Sequence, residues 1–277
     1  MPVAVCVIIP VLDDAARLLT CLDALESQIG APDFEVLVVD NGSHDGTAVR
    51  ARAHRLAPRV LFEPQRGSYA ARNAGLTAST APVLAFTDAD CVPSSTWVAA
   101  GFASLQASPI TGGEVRSMRS LTPTLWERYD RALYLRQQQL VDQGGFAATA
   151  NLWIRREVLE AVGPFAAQLR SSGDFEWCLR AAAGGFPTAY APDVVVEHAP
   201  RTTARQTWEL HRRLGAGWRV LVDDHPQLRD YRDFPLWRVI EALAADGPPL
   251  RRRQVAHVHA LAMTARRVGW FEGRVSA

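Results

Sequence analysis

Two early runs, "VAVCVIIP" from Val3 and "FEVLVVD" from Phe34, are apolar and rich in β-branched residues, with no polar alternation. Strands of that kind are covered on both faces, as in a parallel sheet. Between them, Asp13 to Gln28 carries Leu18, Leu19, Leu22 and Leu25 at helical spacing, with Asp13 or Asp14 placed to cap the helix. The turn "DNGSHDGT" precedes a second helix, Ala48 to Leu56, opened by Asp45 or Thr47. "RVLFE" reads as a third strand, "SYAARNAGLTAS" as a third helix and "APVLAFTD" as a fourth strand. Strands alternating with helices over short connections predict an α/β fold with a parallel sheet flanked by helices.

After Ala107 the pattern loosens. "PITGGEVRS" reads as a strand and Leu121 to Val141 as helical with a glutamine run. A loop, strand and short helix follow within "DQGGFAATANLWIRREVLEAVGPF", then a helix in "SGDFEWCLRAAAGG" and a strand, "PTAYAPDVVVEH". From Arg201 onward the chain reads as helical and arginine-rich, broken at "DDHPQ" and "DGPP".

With 277 residues, 48% of them hydrophobic, the chain is large enough for one big domain or a domain with an appendage. A formal net charge of +1 recruits neither nucleic acid nor an anionic bilayer. All 30 basic residues are arginine, which excludes Schiff-base lysines and the P-loop signature. Cys6, Cys21, Cys91 and Cys178 are scattered and read as small buried residues in a reducing compartment. "MPVAVCVIIP" enters a strand at once and is not read as a signal peptide, and no apolar run reaches the ~20 residues of a membrane span. The expectation is a cytoplasmic enzyme, soluble or peripheral at the inner face of the membrane.

Ligands of open α/β sheets sit beyond the carboxyl ends of the strands. Here those ends carry acids: Asp13 after Pro10 and Leu12, Asp40 closing the second strand, and Asp88 with Asp90 closing the fourth. A D-x-D step there can hold one hard cation that also bridges phosphate oxygens, although alone it is equally two solvated loop acids. Asp174 opens a helix, where it is either a cap or a general base; Glu176 falls on another face and reads as structural. His198, at a strand end on the same rim, is a packing residue or a nitrogen ligand that favours Mn²⁺ over Mg²⁺. Arg66 and Arg72 flank a Gly-containing turn at a helix start, suited to a diphosphate or to an ion pair with a nearby acid. Arg251 to Arg253 read first as a solvated helix start, with membrane-surface or acceptor binding the lesser option.

Taken together, "VIIPVLDDAARLLTCLDAL", "VVDNGSHDGT", "RGSYAARNAGL", "FTDADCVP" and "GDFEWCLRA" resemble, in order and separation, the family 2 inverting glycosyltransferases of the GT-A fold. The resemblance runs from Val3 to about His198. It implies a Rossmann-like, mostly parallel central sheet flanked by helices, with a C-terminal helical extension. The implied division is a transferase domain over 1–200, with a nucleotide-binding half at 1–107 and an acceptor-binding half at 108–200, followed by helices over 201–277.

By the same resemblance Asp40 reads the nucleotide base, and Pro10, Val11, Leu12 and Asn41 line its pocket. Arg66 and Arg72 lie at the diphosphate, Asp88 and Ala89 at the ribose and metal. Asp90 with His198, and Asp88 beside them, hold Mn²⁺ or Mg²⁺, and Asp174 is the catalytic base. Gly144, Gly145, Asn151 and Trp177 belong to the acceptor side. A UDP-sugar is the first donor expected, because Asp40 can accept from the ring N–H of uracil; guanine also offers a donor, and thymine is nearly equivalent. The partner is a hydroxyl acceptor of unknown type, in glycan, polysaccharide or glycolipid synthesis. Two departures stand out: Gly173 where the family often has Glu, and Asp40-Asn41 for the frequent Asp-Asp. The tail "RRRQVAHVHALAMTARRVGWFEG" could pack on the core, form a homodimer or rest on a membrane.

Three other readings compete. "DADCV" mimics the nucleophile motif of haloacid-type phosphatases, but it lies on the fourth strand and the lysine such enzymes use does not exist here. A sugar nucleotidyltransferase would want a Gly-rich basic loop where this chain has "PVLDDAAR". A non-catalytic nucleotide-sugar binding protein fits the weakened motif at Gly173.

Overall fold

The computed structural model describes residues 3–228, 239, 242–243 and 251–273. It has two compact units: Met1–Arg116 with Gln137–Gln168 and Gly173–Ala199, and Ser117–Arg136 with Leu169–Ser172 and Pro200–Ala277.

The first unit is built on an eight-stranded sheet. In chain order its strands are β1 (Val5–Val11), β2 (Phe34–Asp40), β3 (Arg59–Phe62), β4 (Val83–Thr87), β5 (Cys91–Pro93), β6 (Ile110–Ser117), β7 (Asn151–Arg155) and β8 (Ala189–His198). They lie in the order β3-β2-β1-β4-β7-β6-β8-β5. β3, β2, β1 and β4 run parallel, with Val11 beside Asp40 in register. β7 adds antiparallel to β4 and to β6, and β5 pairs antiparallel with β8. The parallel half is the part with unbroken apolar strands: every residue of β1 and β4 is buried.

Helices α1 (Ala15–Glu26), α2 (Thr47–Arg52) and α3 (Ser68–Ala78) make the crossovers between these parallel strands. α1 buries Leu18, Cys21, Leu22 and Leu25, the stripe its spacing predicts. Its cap differs from expectation. Asp14 stands at the N-cap without a side-chain capping bond and instead pairs with Arg17, while Asp45 of the next loop accepts from the Ala15 N–H. α3 packs so closely on β1 that a Cβ on Gly75 would sit 2.6 Å from Ile8. A short helix missed by the pattern, α4 (Trp97–Ser104), buries Trp97 against Trp153 of β7 with ring centroids 4.7 Å apart.

The helical stretch expected over Leu121 to Val141 is two helices, α5 (Leu125–Leu133) and α6 (Gln137–Gly144). Between them Leu135 takes φ 52°, a left-handed conformation no α-helix carries through. The buried Gln137 side chain starts α6 by bonding the backbone of Ala148 on both its carbonyl and its N–H, and the Asn151 carbonyl. α7 (Arg156–Val162) and α8 (Gly173–Ala183) complete this unit.

The second unit joins α5 to α9 (Ala204–Asp224) and to the last described helix, Arg252–Glu272. Tyr129, Ala132, Val239, Leu243, Val255, Val258 and Ala262 form its core. The two long helices meet through glycines: a Cβ on Gly269 would run into the Arg212 carbonyl, and one on Gly215 into that of Arg266. Gly269→Ala gains roughly 1 kcal/mol of helix propensity but forces the helices apart, and overpacking of this kind costs ~1–3 kcal/mol. The expected net result is a lower urea midpoint with an unchanged slope; an unmoved or higher midpoint would contradict the packing. "DGPP", read as a helix break, lies outside the described residues.

Candidate active site

Parallel strands β1, β2 and β4 end together, and their ends carry the first part of the site. Pro10 and Val11 are buried at the end of β1, and Leu12 beyond them is 44% exposed on the rim. Asp13 takes φ 50°, a conformation Asp tolerates better than most residues. It ties this loop to the next: its N–H donates to the Ser43 hydroxyl, and its carboxylate accepts from the His44 N–H at 2.6 Å. The Thr47 hydroxyl, above other hydrogen bonds, holds Asp45 below the usual carboxylate range.

Asp40 is buried at the end of β2 and accepts from the Ser43 N–H at 3.2 Å. Asn41 has a different task from lining a pocket. Its amide NH₂ donates to the carbonyls of Glu63 and Gln65, and its oxygen accepts from the Gly67 N–H at 2.7 Å. All of its side-chain polar atoms are therefore committed to the loop that leads into α3. The loop sets the exposed Arg66 guanidinium over Gly42, 3.6 Å from where a Cβ would stand.

Arg72, inside α3, is buried and donates to Asp88 at 2.5 Å. Its Nε is buried with no hydrogen-bond partner, and its guanidinium lies 5.4 Å from the centroid of the Tyr69 ring. Of the two acids in the D-x-D step, Asp88 is thus held by an arginine. Asp90 faces elsewhere: its Oδ2 is 3.5 Å from His198 Nε2 and 3.8 Å from the Arg17 guanidinium. Strand pairing explains this, because β5 sets Cys91 opposite His198 and so carries the preceding Asp90 to the end of β8. Ala89, between the two acids, is 6% exposed.

Asp174 is the second residue of α8 and is partly buried. Oδ1 accepts from its neighbour's N–H (Phe175, 3.0 Å) and from the Tyr69 hydroxyl at 3.2 Å; Oδ2 accepts from the Thr149 N–H at 3.4 Å. Burial pushes its carboxyl above the usual value, against the lowering effect of these donors and of Arg72. Glu176 forms a 2.6 Å ion pair with Arg180, whose other donors bind the Val162 and Pro164 carbonyls, a structural role.

The residues expected on the acceptor side divide. Gly144 and Gly145 end α6, with Gly145 exposed at φ 68°. Asn151 and Trp177 are fully buried and do not face an open site. The Asn151 amide donates to the Glu114 and Val194 carbonyls and accepts from the Trp97 indole N–H, with Gly113 too close to leave room for a Cβ. The Trp177 indole N–H donates to the Gly163 carbonyl and its ring packs on Phe165, so its place in the helix serves the core. All four cysteines are buried and unpaired, and burial, above the charges of Asp88 and Asp90, raises the Cys91 thiol well above its usual value.

Three contributors escaped the sequence reading. Arg17, the one arginine of α1, looks like an ordinary surface residue. Gln137 is hidden in a glutamine run. Tyr69 stands inside "RGSYAARNAG", a segment read for its arginines.

This fold is the GT-A type of glycosyltransferases. It matches the mannosyltransferase PcManGT of Pyrobaculum calidifontis, solved in complex with GDP-Man and Mn²⁺, with a TM-score of 0.60 over 100% of this chain and 74% of that one, at 20% identity. The Glycosyl transferase family 2 model matches residues 6–163, and the chain belongs to that family. Glycosyltransferase AglE of Haloferax volcanii is 36% identical over 244 residues, 85% of this chain and 80% of that protein. A PGL/p-HBAD biosynthesis glycosyltransferase of Mycobacterium bovis is 29% identical over 182 residues, 63% of this chain and 68% of its own. The protein is a glycosyltransferase enzyme. Among the described residues no helix is long and apolar enough to cross a membrane.

Proposed function

We propose that the enzyme is a metal-dependent inverting glycosyltransferase that moves a sugar from a nucleoside-diphosphate sugar to an acceptor hydroxyl. The observation that carries this reading is the approach of Asp90 and His198 to 3.5 Å, in a unit whose parallel strands end at Asp40 and just before Asp88. One carboxylate oxygen and one imidazole nitrogen this close would let Asp90 and His198 hold a single divalent cation between them. The mixed donor set suits Mn²⁺ better than Mg²⁺. Such an ion, held by Asp90 and His198, would supply a counter-charge for the diphosphate.

The remaining steps belong to side chains. Asp40 accepts from the ring N–H of the base, with Pro10, Val11 and Leu12 beside it, and Asn41 fixes the loop that brings Arg66 to the diphosphate. Arg72 holds Asp88 at the ribose. Ionised Asp174 removes the proton from the acceptor hydroxyl, whose oxygen attacks the anomeric carbon as the bond to the leaving diphosphate oxygen breaks. One displacement inverts the configuration. The 145–150 segment and Gly144 border the acceptor, which belongs to glycan, polysaccharide or glycolipid synthesis in the cytoplasm or at the inner membrane face. A UDP-sugar is the first donor, with GDP-Man the alternative set by the Pyrobaculum enzyme's ligand.

A thermal-shift screen of UDP, GDP and dTDP, each with and without Mn²⁺, tests this assignment. Ligand at 100 times its dissociation constant stabilises by about 2.7 kcal/mol. UDP with Mn²⁺ is expected to raise the melting temperature most, and UDP alone far less. Equal shifts with and without the metal would overturn the metal-dependent reading.

A further inference from the structure

Gly173 precedes the proposed base, and its lack of a side chain has a cause in the fold. A Cβ built at this position would lie 2.7 Å from Tyr69 Cε2, 2.8 Å from Cδ2 and 2.9 Å from Cζ. The ring of Tyr69 thus occupies the space next to the base that a side chain at 173 would need. The ring is itself pinned. It is 5% exposed, packs on Phe165 at 5.8 Å between centroids, and lies beside the Arg72 guanidinium. Held there, its hydroxyl is 3.2 Å from Asp174 Oδ1.

We propose that Tyr69 is a positioning residue for Asp174, its hydroxyl orienting the carboxylate and favouring the ionised form, and that Gly173 is the residue that makes room for it. This rests on Asp174 being the base. A carboxylate that removes a proton must be ionised and must keep one oxygen free toward the acceptor. The Phe175 N–H and the Tyr69 hydroxyl both engage Oδ1, which leaves Oδ2, among the described residues, only the long contact with the Thr149 N–H. Burial, and then the charge of Asp174, raises the tyrosine hydroxyl well above its usual range, so it keeps its proton and donates. The other charged or titratable groups around Asp174 are Arg72, which favours its ionised form, and Glu176 and Cys178 on its own helix. Glu176 is neutralised by Arg180, and burial pushes the Cys178 thiol up to about 12, so it stays uncharged.

The test titrates Asp174 directly. In protein labelled with ¹³C at the aspartate carboxyls, the Asp174 signal is the one missing from Asp174→Asn. Tyr69→Phe keeps the ring and removes the hydroxyl, and is expected to move the Asp174 titration upward in pH. It should also lower the rate of nucleoside-diphosphate release from UDP-glucose or GDP-Man roughly 2–10-fold at neutral pH, the effect of one hydrogen bond, with donor KM unchanged. Gly173→Ala should reproduce the titration shift by displacing the ring, yet cause no further shift in a Tyr69→Ala background. An unmoved titration in Tyr69→Phe, or a harmless Gly173→Ala in the wild-type background, overturns the positioning role. If Asp174→Asn keeps its activity, the base assignment and this role fall together; if it is inactive while Tyr69→Phe titrates as wild type, the role alone falls.

Discussion

Asp174→Asn is expected to lower sugar transfer ~10²–10⁴-fold, the range typical of removing a general base. The amide keeps the size of the carboxylate and can still accept from the Tyr69 hydroxyl and the Phe175 N–H, so the fold should survive and nucleoside-diphosphate binding should be unchanged. The pH dependence follows from the direction of the shift. Burial raises the Asp174 carboxyl, and the proposed base works only when ionised, so the wild-type rate should climb through a pH above the ordinary aspartate range. Asp174→Asn should lose that acidic limb. A variant that transfers sugar at near-normal rate, with unchanged circular dichroism, would remove Asp174 from the mechanism.

The second large effect is expected at Asp90. Asp90→Ala leaves His198 without its carboxylate neighbour and should abolish the Mn²⁺-dependent part of UDP stabilisation, with transfer falling at least ~10²–10³-fold, as when a preorganised charge-stabilising group is deleted. The Arg17 guanidinium, 3.8 Å from Asp90, makes a useful comparison. Arg17→Ala removes a competing cation and should leave Mn²⁺ binding intact or tighter. Isothermal titration with Mn²⁺ and UDP distinguishes the variants. Equal metal affinity in wild type and Asp90→Ala would place the ion elsewhere.

The parallel half of the sheet was legible because β1 and β4 are almost wholly apolar and β2 carries the apolar run Val36–Val39, and burial on both faces demands such runs. The antiparallel half was less so. β5 has three residues, too few to show a period, and nothing local announces that it pairs with β8. The break between α5 and α6 left no mark, because Leu135 is an ordinary helix former and nothing in its side chain announces a left-handed backbone.

Within the site, the acids at strand ends could be read from position alone. Position did not give their partners, although the family resemblance had set Asp90 with His198. That Asp88 belongs to Arg72 and Asp90 to His198 depends on which way each residue of the D-x-D step faces, and that is decided by the turn between β4 and β5. Trp177 and Asn151 misled for the opposite reason. A tryptophan and an asparagine beside a predicted site look like recognition groups until their polar atoms are found satisfied by backbone carbonyls and an indole.

The antiparallel ladder of β5 and β8 has a consequence for biosynthesis. Asp90 is on the strand side of the ladder made early and His198 on the side made late, so the two cannot meet until the ribosome has released the stretch ending at His198. A nascent chain that stops short of β8 carries the whole D-x-D step yet lacks one of the two proposed ligands. Affinity for a divalent ion would then arise only as the final strand of the sheet docks.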